Sequence, residues 1–398
     1  MRGMYGHRFQ QYGGIYDHRV YDHSRPTGEP VRTVEHTIRD KMDPVHLGIV
    51  HTRIRDDGVL LEFEDMKIVA DDNIPFLKGR LENSAENIEV VYVDQWGFTP
   101  ELVKDADALI IRTRTLCNEA LLGGSKVRLV ATATIGTDQI DLPWCAQNGI
   151  AIRNAPGCNA PGVAQYVWSC LLRMGFDPSH DILGIIGCGN VGSIVHEWGR
   201  ALGAKILISD PPKEEAGICG EYVPLEELLE RSDAITLHTP LTKTGRHATH
   251  HLIGGRELSL IRDGKILVNA ARGPVIDFNA LKPHVTNGRI RAAIDTWENE
   301  PTLDEELLEA VEYGTFHIAG YSRQGKERAT RMALEAVAEV LGIEADLSGL
   351  EGAYTGTPGL SPEKITASYD PATDTAALRE EPKEFDRLRR DYRYREEV

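Results

Sequence analysis

Cysteine pairs at metal or redox spacing are missing from this sequence. The six cysteines, Cys117, Cys145, Cys158, Cys170, Cys188 and Cys219, include no CxxC pair and match no zinc pattern. They read as reduced thiols rather than a disulfide framework. Basic residues are scarce as well. Lys and Arg number 44 against 61 Asp and Glu, a formal net charge of -17, which excludes a global nucleic-acid footprint. An anionic substrate must therefore meet a local cluster of Arg or backbone N–H groups, because the overall field repels it. No apolar run reaches membrane length. The opening MRGMYGHRFQQYGG lacks the apolar stretch of a secretory signal. There is no internal repeat or low-complexity block. The expectation is a cytoplasmic protein with no nucleic-acid and no membrane partner.

What is present is ordinary globular composition. The 398 residues are 41% hydrophobic and 26% charged, enough for two or three domains with a sizeable core. Residues 1–65 are rich in His, Tyr, Arg and Asp, and only His46–Phe63 there reads as strand-forming. At Met66 the text changes to MKIVADDNIP, a short apolar strand before an acidic turn. Met66 is read as the natural start, with 1–65 an upstream extension; the alternative is an arm used in assembly. From there, apolar runs at Lys67–Ala70, Glu89–Val93, Ala108–Ile111, Leu129–Thr132 and Ala151–Arg153 alternate with helical segments at Ile74–Leu81, Pro100–Lys104 and Asn118–Leu122. This rhythm predicts a parallel sheet covered by helices. Val163–Met174 reads as a long connecting helix.

A second series of strands starts at Ile182 and continues with Lys205–Ser209, Ala234–Leu237, Lys265–Asn269, Arg291–Asp295 and Thr315–Ile318. Gly325–Leu341 reads as a return helix, 345–361 as a Gly/Pro/Ser/Thr-rich linker, and the charged remainder as a docked helix, a partner-binding segment or a disordered end. The fold class is α/β with two Rossmann-like lobes.

Gly187-Cys188-Gly189-Asn190-Val191-Gly192 is a GxGxxG loop between an apolar strand and a helix, and the next strand ends at Asp210. That is a complete dinucleotide-binding βαβ unit. Gly187 permits the tight turn, Gly189 lets backbone approach a pyrophosphate, and Gly192 allows close helix–strand packing. The helix N-terminus supplies N–H donors and partial positive charge. Asp210 accepts from an adenosine ribose and repels a 2′-phosphate, favouring NAD over NADP.

Further along, NAARG, DTWENEP and TFHIAGY each stand at the end of a strand of the second series, where open parallel sheets bind ligands. Arg272 suits a carboxylate through its planar fork. A His beside an acid suits removal of a hydroxyl proton as hydride leaves carbon, the acid favouring the charged ring. His247, His250 and His251 form a local cluster, but no carboxylate or Cys stands beside them at ligand spacing, so no metal is assigned. Cys158 and Cys188 read as packing residues.

In that order, these segments resemble the D-isomer-specific 2-hydroxyacid dehydrogenase family. ATATIGTDQID with APGCNA, SDPP at Ser209–Pro212, and HIAGYSRQGKERAT resemble a branch acting on a phosphorylated 2-hydroxy acid. The resemblance covers Met66 to about Leu341. It implies Arg272, Glu300 and His317 as catalytic residues. It implies Gly187, Gly189, Asn190, Val191, Gly192, Asp210, Thr239, Asp295 and Gly320 as NAD contacts, and Thr113, Thr134 and Tyr321 as substrate contacts. At Thr113 the family pattern has Ser; the hydroxyl is retained. Arg112 and Arg114 flank it and form a candidate phosphate cluster. The resemblance divides the chain into an extension (1–65), a substrate lobe (66–162 with 323–344), an inserted NAD lobe (163–322) and a linker with tail (345–398). ALREEPKEFDRLRRDY resembles a shortened dimerisation domain, which implies a homodimer. Oxidation of another 2-hydroxy acid such as 3-phosphoglycerate, and a non-catalytic NAD-sensing role, stay open on the same scaffold.

Overall fold

The computed structural model describes residues 65–82, 87–218 and 220–398, together with the backbone of four strands before residue 64. Cys219 and the remainder of 1–64 lie outside the described residues. The four strands, β1 (His18–Ser24), β2 (Pro30–Arg39), β3 (Leu47–Ile54) and β4 (Leu60–Phe63), pair as an antiparallel meander. Strands at β3 and β4 match the sequence reading, whereas β1 and β2 do not. The run PVRTVEHTIR of β2 alternates β-branched residues with charged ones, a pattern that a search for apolar runs overlooks.

The chain divides into two compact units. The first holds the chain to Thr132 with Gly136–Arg153 and Ala333–Leu347. Its parallel sheet has the order β6-β5-β7-β8-β9, with β5 at Met66–Asp71, β6 at Ile88–Val93, β7 at Ala108–Ile111, β8 at Leu129–Thr132 and β9 at Ala151–Arg153. β7 and β8 are buried along their whole length, as strands covered on both faces must be. The helix expected at Ile74–Leu81 is a series of turns instead. Pro75 lacks an amide donor, and Phe76 and Gly79 take left-handed backbone at φ 62° and 83°, which no α-helix accommodates.

The second unit holds 133–135, 154–332 and 348–398. Its sheet order is β11-β10-β12-β13-β14-β15, with β10 at Ile182–Ile186, β11 at Lys205–Ser209, β12 at Ala234–Leu237, β13 at Lys265–Asn269, β14 at Ile290–Ile294 and β15 at Tyr313–Gly314. Chain order reverses between β10 and β12, which is the switch point where such sheets bind ligands. The last strand is only two residues long, not the Thr315–Ile318 run expected. The helix Ala160–Arg173 starts with Pro161 in its first turn, and every residue from Ala160 to Leu171 is buried. An all-round apolar helix of this kind belongs in a core. Two parallel α/β sheets of five and six strands give the two-domain α/β architecture.

The linker, 345–361, has no helix or strand, and the tail forms short helices at Pro362–Ser368, Pro371–Glu380 and Phe385–Arg390. Ile365, Tyr369, Leu378 and Phe385 join the core of the second unit, so the tail docks on that core and is not a disordered end. Among the described residues, no helix is long and apolar enough to cross a membrane.

The tail is fastened by one buried cation. Arg395 donates to Ile318 O at 3.0 Å, Gly162 O at 2.9 Å, Gln165 Oε1 at 3.2 Å and Ala319 O. Hydrogen bonds to a charged group contribute about 1.5–3 kcal/mol each, non-additively. Arg395→Ala should destabilise the second unit by about 3 kcal/mol, which lowers its melting temperature by roughly 10 °C and opens the tail to limited proteolysis. An unchanged melting temperature with a protected tail would contradict this anchoring role.

Candidate active site

The catalytic and cofactor candidates singled out from the sequence gather at the carboxyl ends of the second unit's strands. After β10, the glycine loop turns into the helix Asn190–Ala201. A Cβ on Gly192 would lie 2.1 Å from Gly187 O, so no side chain fits where helix meets loop. In front of Gly189 there is open space, as a backbone that must receive a ligand requires. Asn190 and Val191 form the first turn, with the Asn190 side chain against Gly157. Asp210, directly after β11, accepts from the Cys188 amide at 2.8 Å and the Lys213 amide at 3.2 Å. A carboxylate offers about four acceptor positions, so it braces the glycine loop and retains capacity for a ribose. Beyond β12, the Thr239 hydroxyl is buried without a hydrogen-bond partner. These features fit a dinucleotide.

β13, β14 and β15 are neighbours in the sheet, and their following loops carry Arg272, Glu300 and His317. Asp295, one residue beyond β14, organises all three. Its amide donates to Asn269 O at 2.9 Å and its carbonyl accepts from the His317 amide at 2.9 Å. Its buried carboxylate accepts from Thr315 Oγ1 at 2.7 Å and from the amides of Ile318 at 2.8 Å and Ala319 at 2.9 Å. The Tyr166 hydroxyl in turn donates to Thr315 Oγ1 at 2.9 Å. Asp295 was expected at the nicotinamide; its oxygens are engaged in shaping this loop. Between the amides it captures, His317 takes left-handed backbone at φ 59°. For a residue other than glycine that conformation is held by its surroundings, and here the Asp295 contacts hold it.

Close backbone packing fixes Arg272 against the same loop. A Cβ on Gly273 would fall 2.0 Å from Trp297 O. Arg272 O accepts from Asn269 Nδ2 at 3.1 Å, and the Asn269 side chain also accepts from the Ala271 amide. Arg272 Nη1 donates to Ala271 O at 2.9 Å.

His317 Nδ1 lies 2.6 Å from Glu300 Oε1, both side chains being about one quarter exposed. The Trp297 amide donates to Glu300 Oε2 at 3.3 Å. Burial alone would raise the Glu300 carboxyl. The charge and hydrogen bond of His317, the Arg389 charge and the Trp297 amide bring it below the ordinary carboxylate range instead. An ionised carboxylate only accepts, so Nδ1 carries the proton and Nε2 of the neutral ring is the acceptor. This arrangement can take a proton from a hydroxyl.

Gly320 packs against the Asn159 side chain. The Tyr321 ring is flanked by Lys326, whose Nζ is 3.5 Å from its centroid, and by Tyr392 and Tyr394. Thr134 belongs to the second unit, its carbonyl accepting from the Ala155 amide at 2.9 Å. Arg112 and Thr113 belong to the first. Arg112 Nε is 2.9 Å from the buried Asp71 carboxylate and its carbonyl accepts from Gln139; Thr113 is exposed.

Two groupings were invisible in the sequence. His251 gains carboxylates from distant segments: Nε2 is 2.6 Å from Glu298 Oε1 and Nδ1 is 3.9 Å from Asp277 Oδ2. These carboxylates also cap the helix Phe278–Thr286 through the Phe278 and Ala280 amides, so the cluster staples loops together. The second is Arg389, brought by the tail to Tyr321, its Cζ 5.5 Å from the ring centroid. Burial pushes the Cys158 thiol up to about 11, consistent with a packing role.

Residues 162–319 match the model for the D-isomer specific 2-hydroxyacid dehydrogenase, NAD binding domain. The erythronate-4-phosphate dehydrogenase of Bacteroides fragilis is 43% identical over 347 residues, covering 83% of this chain and 97% of the relative. Among solved structures, the NAD-bound 3-phosphoglycerate dehydrogenase of Entamoeba histolytica superposes with a TM-score of 0.57 at 26% identity, over 73% of this chain and 100% of that one. The D-lactate dehydrogenase of Aquifex aeolicus, complexed with NAD and lactic acid, gives 0.56 at 26% identity, over 69% and 96%. With that identity sustained over nearly the whole length of the relative, and with the strand-end loops described above, the chain belongs to the erythronate-4-phosphate dehydrogenase family, within the D-isomer specific 2-hydroxyacid dehydrogenases.

Proposed function

We propose that the protein oxidises 4-phospho-D-erythronate at C2 to the 2-oxo acid, a step of pyridoxal 5′-phosphate synthesis, with NAD as acceptor. The observation that carries this reading is the His317–Glu300 pair, 2.6 Å apart, on two neighbouring strand ends, the Glu300 one beside that of Arg272. NAD, when bound, supplies the acceptor for the hydride that leaves C2. Gly187, Gly189, Asn190, Val191 and Gly192 would receive its pyrophosphate, and Asp210 its ribose. Thr239 offers a buried hydroxyl without a partner, and Gly320 and Asp295 shape the nicotinamide side.

His317 Nε2 accepts the C2 hydroxyl proton as the C–O double bond forms. Glu300 holds the ring in the required tautomer and stabilises the imidazolium. Arg272 pairs with the substrate carboxylate and the developing carbonyl oxygen. Within the second unit, Thr134 and Tyr321 add substrate contacts. A homodimer and a cytoplasmic setting belong to the same reading, the former supported by the likeness of the tail segment to a dimerisation domain.

The test is oxidation of 4-phospho-D-erythronate by the purified chain with NAD, run in parallel with a 2-oxo acid as electron acceptor. Product should form, and His317→Ala should lower kcat by about 10²–10⁴-fold with NAD affinity nearly intact. Oxidation of 3-phosphoglycerate alone would move the substrate and keep the mechanism. NAD binding with neither acid oxidised would favour a sensing role.

Glu300 also sets a pH dependence. Its carboxyl is held below the ordinary range, so it is ionised across neutral pH and favours proton uptake at the base. Glu300→Gln removes that anion. The acid limb of kcat/KM for oxidation should then move to lower pH, with kcat reduced. An unmoved limb would separate Glu300 from the base.

A further inference from the structure

We propose that Arg389, delivered by the C-terminal tail, is the cation that receives the substrate phosphate in the second unit. The proposal rests on the reading of the chain as a dehydrogenase of a phosphorylated 2-hydroxy acid. It adds a tail residue to the substrate site.

Arg389 sits on the short helix Phe385–Arg390, whose Phe385 is buried in the core of the second unit and whose Leu388 packs against that core. Phe385, one turn before Arg389, shares its helix face, and the guanidinium lies against the ring of Tyr321, four residues after His317. Its Nε is buried without a hydrogen-bond partner. The carboxylates whose charge reaches it, Glu300 and Asp295, are already committed. Glu300 serves His317 Nδ1 and the Trp297 amide; Asp295 serves one hydroxyl and two amides. A buried cationic donor left open is costly. An oxyanion with several acceptor oxygens fills it, and an arginine fork suits such a group better than an ammonium does. Lys326, 3.5 Å from the centroid of the same ring, places a second cation beside Tyr321. By contrast, Arg112 in the first unit already engages the buried Asp71. The tail therefore brings positive charge to the loop of the catalytic His in a chain whose net charge is -17.

The experiment uses the full chain loaded with NAD, as wild type, Arg389→Lys and Arg389→Gln. Inorganic phosphate binding is measured by titration calorimetry, and kinetics are compared for 4-phospho-D-erythronate and D-erythronate. Arg389→Gln should weaken phosphate binding and raise KM for the phosphorylated acid by roughly 10- to 100-fold. Any change in kcat, through loss of the Arg389 charge near Glu300, should be the same on both acids, the lysine variant should fall between, and KM for D-erythronate should be unchanged. NAD affinity equal to wild type shows that the variants are folded. Equal rises in KM on both acids, or phosphate binding indifferent to the substitution, would overturn the proposal. If the wild type fails to oxidise 4-phospho-D-erythronate yet binds phosphate in an Arg389-dependent way, the anion site stands and the substrate assignment falls.

Discussion

One buried carboxylate holds the loop that carries His317 in shape. Asp295 takes a hydroxyl and two successive amides on its side chain, while its own backbone bonds to the neighbouring strand ends on either side. Donors aimed at a buried anion are stronger than neutral hydrogen bonds, and leaving any of them unmet costs about 1–3 kcal/mol. The chain beyond β15 therefore has one way to run. It must abandon the sheet, turn through left-handed backbone at His317 and continue to Tyr321. The His317 ring then meets Glu300, which lies in the loop that Asp295 itself begins. Pairing of His317 with Glu300 is thus a consequence of how Asp295 is satisfied.

The C-terminal tail reinforces the same loop from the other side. Arg395 donates to the carbonyls of Ile318 and Ala319, the residues whose amides Asp295 accepts. A short stretch of backbone is gripped by an anion at its N–H groups and by a cation at its C=O groups. Glu397 extends the clasp to Ser322 at 2.6 Å and to Arg328. A tail that packs this closely against the His317 loop is part of that loop's framework, and Arg389 lies within it.

Much of the fold was legible because its strands are short, apolar and separated by helical spacing. The boundaries of β7, β8, β9, β11, β12 and β13 coincide with the runs read from sequence. So does the order of glycine loop, Asp210, Arg272, Glu300 and His317 along successive strand ends. The failures have local causes. Thr315–Ile318 alternates like a strand, but its amides are drawn to Asp295. Ile74–Leu81 has helical spacing, but Pro75 and the left-handed Phe76 and Gly79 turn it. The partners of His251, and the approach of Arg389 to Tyr321, depend on segments far apart in the chain. Periodicity and motif spacing carry no information about such pairs.

The most direct measurement is amide hydrogen exchange at His317–Ala319, paired with kcat, in wild type and Asp295→Asn. Asparagine keeps the shape and volume but turns one acceptor oxygen into an NH2 donor, facing a backbone amide that also donates. Protection at Ile318 and Ala319 should fall by roughly 10- to 100-fold, in line with an unmet buried donor, and kcat should fall with it while the rest of the second unit stays protected. Full turnover with the loop as protected as in wild type would show that His317 is positioned by something other than this carboxylate.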